Sequence, residues 1–432
     1  MTVRVAFLSP CGGGNLGDAA IVDSLIAGIR RRVPDAAIVG FTQNPEDTEQ
    51  RHRVPTTRFR PNYRASIVAG AGDANGDEPG PSSPQAARGW PTVRAAIGNR
   101  LPGARALWRS ALGLLADYRY FRQVEHMLRG FDVVAVAGGG QIDELFGGPL
   151  THLHGLWRYG AMARRSGARF VILSVGTGTL TSRVGRVLAR RCLALADYAS
   201  FRDDRSRELV GDSAIGVPIV PDLAYGLPVS WSAGTERSGP PVVGVSPMAY
   251  ADPRFWPRQD VARYRRHVAS FAHLTTRLVR AGNRVVLFTS DGPDEAPRDE
   301  LRAEVSAQLG PEESGMVTVA GTRTVAELME VLSRLDVVVS ARLHGVLLAH
   351  VAGRPVLAIA HERKVATLMG EMNQSQYCYD IDDFDPEVGW ARLQELVDGR
   401  EHVARDVRVR VEAYRRRVEG QYDLVFGEPK DA

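Results

Sequence analysis

The sequence predicts an α/β protein of two doubly wound, Rossmann-like domains facing each other across a cleft. Three observations predict it. Apolar runs of strand length alternate with helical patterns through both halves of the chain, the signature of parallel sheets covered by helices. The 432 residues exceed the size at which a single core stops growing. A polar, proline-rich break at 230–241, SWSAGTERSGPP, separates the two alternating series.

In the first half the strands are VRVAFLSP, AAIVGFT, FDVVAVAGGG, ARFVILSVGTGTL and DYASFRD, with helices IVDSLIAGIRRRV, HLHGLWRYGAMARRSG and RVGRVLARRCLALA between them. Residues 70–102 are dense in Gly, Pro, Ala and Ser and read as a mobile insertion. The second half begins with VVGVSPMAY and a helix at 264–281. It continues with strands NRVVLFTS, MVTVAG, DVVVSARLHG and PVLAIA, alternating with helices RDELRAEVSAQL, VAELMEVLSRL, a stretch through 348–352, and KVATLMGEM. The expected domains are therefore 1–229 and 241–403, followed by an arginine-rich helix and tail at 404–432 that packs back along the molecule.

Composition narrows the function classes. With 44% hydrophobic and 24% charged residues, and no apolar run approaching the roughly 18 residues of a membrane span, the chain does not read as an integral membrane protein. No secretory leader pattern opens it, so a cytoplasmic location is expected. Cys11, Cys192 and Cys378 are odd in number and far apart, which fits neither a disulfide framework nor a CxxC metal site; Cys11 lies near the cleft without an evident base. No metal is expected, since His361 and Glu362, being adjacent, point apart in an extended segment. The net charge of +4 comes mostly from arginine; it is too diffuse for nucleic acid and suits anionic ligands or an anionic membrane surface. Residues 104–130 interleave Arg105, Arg109, Arg119, Arg122 and Arg129 with apolar positions. They read either as a helix with its stripe in the core or as a peripheral contact with a membrane.

Function concentrates at the carboxyl ends of strands in this architecture. The first such end is CGGGNLGDAA, where Gly12, Gly14 and Gly17 satisfy G-x-G-x-x-G. The second strand, however, ends in Gly40, Phe41 and Thr42 with no acidic residue for a ribose, and Asp18 would repel a pyrophosphate at the helix start. A dinucleotide site is therefore not expected; the glycines either tighten a turn or leave room for another substrate, with Asn15 and Asp18 able to cap the helix. The second end, Gly138 to Gly140, permits close approach of a ligand or a neighbouring loop, and Asp143 and Glu144 follow it. The third places Arg202 and Asp203 between a strand and a helix start, an anion site unless the two simply pair with each other. The fourth is SARLHGVLLAHVAGRPVLAIAHERK. There Arg342 and His344 share a face if the segment is extended, and Lys364 arrives from the adjacent strand end.

Together GGGNLGDAAI, VAGGGQ, SFRDDRS, VPDLAYGL and SARLHGVLLAHVAGRPVLAIAHERK, in this order, resemble the polysaccharide pyruvyl transferase family, across nearly the whole chain except the 70–102 insertion and the tail. That resemblance implies a GT-B-like fold and transfer of a pyruvyl group from phosphoenolpyruvate onto two hydroxyls of a sugar, giving a cyclic ketal and phosphate without a cofactor. It implies that Arg202, His344 and Lys364, with Arg342 beside them, hold phosphoenolpyruvate on the side of the second domain. The acceptor, a glycan that is lipid-linked or free, falls to the first domain, with Asn15, Asp18, Gly139, Gly140 and Asp222 beside it. His344 and Asp18 are the expected acid–base pair. Two rivals stay open: a GT-B glycosyltransferase using a nucleotide sugar, and a non-catalytic sugar- or anion-binding protein.

Overall fold

The computed structural model describes residues 2–60, 117–144, 148–229, 231, 239–256 and 259–427. The expected insertion at 70–102 lies outside them, as does the beginning of the 104–130 stretch.

Two six-stranded sheets form, each wholly parallel. The first contains β1 (Arg4–Leu8), β2 (Ala37–Thr42), β3 (Thr56–Arg58), β4 (Val133–Gly139), β5 (Arg169–Val175) and β6 (Tyr198–Phe201), in the order β3-β2-β1-β4-β5-β6. The second contains β7 (Val242–Ser246), β8 (Arg284–Leu287), β9 (Val317–Val319), β10 (Val337–Ser340), β11 (Val356–Ala360) and β12 (Cys378–Asp380), in the order β12-β11-β10-β7-β8-β9. Strand order therefore reverses at β1/β4 and at β7/β10, and open α/β sheets bind ligands outside the strand ends at such points. Strand β4 is buried along its full length because helices cover both of its faces, which is why its sequence, VVAVAGG, lacks polar alternation.

The edge strands β3 and β12, the helix Pro45–His52 and the helix Pro386–Asp398 have no counterpart in the sequence reading. They are short or weakly patterned, and long-range pairing rather than local pattern makes them. Residues 117–128 are helical and bury Phe121, Val124 and Leu128, so this part of the basic stretch sends its apolar stripe into the core.

The last helix, Arg400–Phe426, follows the second sheet in sequence but packs on the helix Leu16–Arg32 beside the first. Arg32, 1% exposed, reaches Asp423 and Glu419, and the Tyr422 hydroxyl lies 3.2 Å from Ser24. Gln421 donates to Ser174 at 3.1 Å and accepts from Ser200. One hydrophobic core thus runs from β1 through this helix to β7 and β10.

Candidate active site

The first strand end meets the other domain directly. Asn15 is the N-cap of Leu16–Arg32, its Oδ1 accepting from the amides of Gly17 at 2.8 Å and Asp18 at 3.3 Å. The Leu16 amide donates across the cleft to the Ser290 carbonyl at 2.9 Å. Gly17 is indispensable by geometry: a Cβ there would sit 1.9 Å from Cγ of His344. The last glycine of the G-x-G-x-x-G pattern therefore makes room for a side chain of the second domain, and Asp18 serves in the first turn rather than as a cap.

His344 is not in an extended segment as expected. Arg342 is the N-cap of Leu343–Val351, which places His344 inside the first turn, aimed at Gly17. Its Nε2 is buried with no hydrogen-bond partner among the described residues. Burial, helped by the charges of Arg202, Lys364 and Arg342 and opposed by Asp222, pulls its pKa down to about 4. Asp18 moves the other way. Burial, then the carboxylates of Asp291 and Asp222, push it up to about 7 against the pull of Arg202 and Lys364. Burial likewise raises Asp291 to about 6, Arg342 opposing and Asp294 assisting.

Beside this pair a cavity of about 390 Å³ opens between the domains. Arg202, Asp222, Gly140 and Asp143 line it from the first domain, and Lys364 and Leu343 from the second. Asp18, His344, Gly139 and Asn15 are not part of this lining; Asp18 Oδ1 is 3.9 Å from where a Gly139 Cβ would be. Arg202 and Lys364 each already have a carboxylate neighbour. Arg202, its guanidinium laid over Gly176 where a Cβ would come within 2.6 Å, reaches Asp203 at 3.3 Å and Asp222 at 3.4 Å. Asp222 Oδ1 also accepts from the Ala224 amide at 3.0 Å, capping the turn Leu223–Gly226. Lys364 Nζ lies 2.6 Å from Glu362.

Arg342 is the most committed. It forms two 2.7 Å bonds with the fully buried Asp294 and approaches Asp291 at 3.4 Å, and it does not line the cavity. His361 and Glu362, expected to point apart, meet at 3.0 Å because Glu362 is the turning N-cap residue of Arg363–Glu371. Burial works against the Glu362 carboxylate, but His361 and Lys364 draw its pKa down to about 2. Glu144 turns away to accept from Thr181 and Ser182.

Sequence reasoning missed three groups. The Tyr225 hydroxyl and Thr177 Oγ1 are buried without partners among the described residues, and both residues line the cavity. Cys11 does have a histidine, with His52 Nε2 3.7 Å from its sulfur and His52 Nδ1 2.7 Å from Asp23. Burial pushes that thiol's pKa up, so the chain ties β1 to the helix Pro45–His52 rather than forming a nucleophile. The lysine has a signal of its own. Lys364 and Lys430 are the two lysines among 54 cationic residues, so the cleft holds a compact ammonium in a chain that otherwise uses arginine. Among the described residues no cluster of three His, Cys, Asp or Glu side chains could hold a metal, and no helix is long and apolar enough to cross a membrane.

A family model described as polysaccharide pyruvyl transferase matches residues 15–363. No curated protein matches the chain. Among solved structures, an Anabaena protein, HepE, in complex with UDP aligns with a TM-score of 0.53 at 11% identity, covering 98% of this chain and 99% of that one. The glycosyltransferase SnogD from Streptomyces nogalater aligns at 0.50 and 16%, covering 98% and 99%. A UDP-N-acetylglucosamine 2-epimerase aligns at 0.53 and 12%, covering 100% and 99%. At these identities the likeness is one of fold: two parallel sheets facing a cleft, as in GT-B enzymes.

Proposed function

Because the chain belongs to the polysaccharide pyruvyl transferase family, we propose that it transfers a pyruvyl group from phosphoenolpyruvate to two hydroxyls of a glycan, leaving a cyclic ketal and inorganic phosphate. The observation that carries this reading is the convergence of Arg202 and Lys364, from different domains, on one cavity beside Asp18 and His344. Phosphoenolpyruvate offers a phosphate and a carboxylate, which suit a planar guanidinium on one side and an ammonium on the other. Arg342, saturated by Asp294, acts as a positioning residue that braces the loop holding Asp291.

The opposed pKa directions suggest a division of labour. An Asp18 that holds its proton up to about pH 7 donates it to the methylene carbon of phosphoenolpyruvate. The adjacent carbon gains positive character, and the first sugar hydroxyl adds there. His344, neutral above about pH 4, takes the proton from the attacking hydroxyl. A second hydroxyl then displaces phosphate and closes the ketal, its proton passing to the Asp18 carboxylate while the leaving phosphate takes the proton held by His344. Gly140 and Asp222 line the first domain's side of the cavity, from which the glycan enters, and Tyr225 and Thr177 offer hydroxyls to it or to the donor.

Calorimetric titration with phosphoenolpyruvate, without any acceptor, tests the reading. Saturable binding that is weakened about ten- to a hundredfold in Arg202→Ala and Lys364→Ala is the expected result. Binding of a nucleotide sugar with none of phosphoenolpyruvate would overturn it in favour of glycosyl transfer.

A further inference from the structure

Charge on this protein is strongly segregated. Three helices, at 117–128, His152–Arg165 and Arg183–Leu195, cover one face of the first sheet and bury their inner sides in one shared cluster that includes Phe121, Tyr159 and Leu188. They hold nine arginines against two acids, a net +7 on a chain of +4, leaving the remainder at −3. Both acids are taken: Asp117 pairs with Arg60, and Glu125 with Arg165 at 2.9 Å. Seven of the nine arginines are exposed.

Four exposed apolar side chains lie at or near the starts of these helices, with Met127, 43% exposed, near the other end. Tyr118, Leu150, Val184 and Val187 are 57%, 65%, 49% and 45% exposed. In a parallel α/β layer each helix starts at the carboxyl edge of the sheet, so these positions share the rim on which the cavity opens. Arg60 holds that rim together, pairing with Asp117 and donating to the carbonyls of Leu150 at 3.2 Å and Thr151 at 2.8 Å.

We propose that this face docks the protein on an anionic lipid bilayer, arginines over the headgroups and the rim side chains in the interfacial layer, with the cleft mouth held at the membrane surface. A nucleic acid would answer the arginines but not four exposed apolar side chains; a bilayer interface answers both. The inference does not depend on the identity of the donor.

Flotation of the full chain with phosphatidylcholine vesicles, with and without about one-third phosphatidylglycerol, tests it. Retention on the anionic vesicles alone, weakening as salt is raised, is expected. Arg183→Gln with Arg190→Gln should lower the partition about tenfold or more, each arginine being worth about fivefold near such a surface. Leu150→Ser with Val184→Ser should lower it about tenfold while leaving heparin binding unchanged. Unchanged thermal unfolding of both variants ties the loss to the surface. No retention on anionic vesicles overturns the proposal. So does retention that ignores Leu150→Ser with Val184→Ser and is matched by heparin, which would make the face a polyanion site.

Discussion

The two sheets have the same kind of strand order but end differently. At the carboxyl edge of the first the chain places glycines, at 12–14, 138–140, 176 and 178; at that edge of the second it places Asp291, Asp294, Arg342, His344, Glu362 and Lys364. The first sheet thus supplies space and the second supplies charge. His344 over Gly17 is where the two meet. Asp18, Asp143, Arg202 and Asp222 are among the exceptions, charged groups on the first sheet's side of the cleft, and Arg202 needs Gly176 in order to lie flat.

The largest expected effect removes an exception. Asp18→Asn should lower kcat by about 10²- to 10⁴-fold, the range for a lost general acid. It should also abolish the fall in rate expected of the native enzyme as pH rises through about 7, read from a pH–rate profile. The same change alters stability with a definite sign. The folded carboxyl titrates at about 7 and an ordinary one at 3.8, so its contribution is full below 3.8 and is lost as pH rises through 7. Asp18→Asn should therefore flatten the decline in Tm expected of the native chain between about pH 4 and 7, a difference calorimetry would read.

Filling the space comes next. Gly17→Ala puts a methyl 1.9 Å from the His344 ring, and displacing that ring or the domains by about 1 Å should cost about 10²-fold in kcat/KM. If Gly17→Ala keeps full activity, the glycine edge is not what admits the charged one. Deleting charge should act on binding: Lys364→Ala and Arg202→Ala should each weaken phosphoenolpyruvate about ten- to a hundredfold by calorimetry, as expected for a charge-assisted contact. Lys364→Arg should not rescue it, since a fork replaces a point charge. Smallest is Tyr225→Phe. Loss of a hydroxyl that has no partner within the described protein should leave Tm unchanged and weaken ligand binding about fivefold.

Much of this comparison is legible in the sequence. The apolar runs mark β1, β4, β7, β10 and β11, and the residues just past them are those of the cleft. What local pattern cannot convey is partnership. Nothing near Arg342 announces that Asp294, 48 positions earlier, will occupy its guanidinium, and nothing near Arg202 announces Asp222. A two-residue spacing in SARLH looks extended until the helix is seen to start at Leu343. The His52 beside Cys11 lies 41 residues away, on a helix whose polar composition gives little periodic signal.

The closing helix bears on how the polypeptide comes off the ribosome. Domains usually fold in the order in which they are made. Here the layer over the first sheet is completed by residues 400–426, synthesised after the entire second sheet, and Arg32 waits for Glu419 and Asp423 nearly four hundred residues downstream. The amino-terminal half therefore carries an uncovered seam beside Ser24, Gly28 and Tyr225 throughout elongation and is sealed only when the last turns emerge. Nascent chains truncated before residue 400 should be protease-sensitive at this seam even though every strand of the first sheet has already been made.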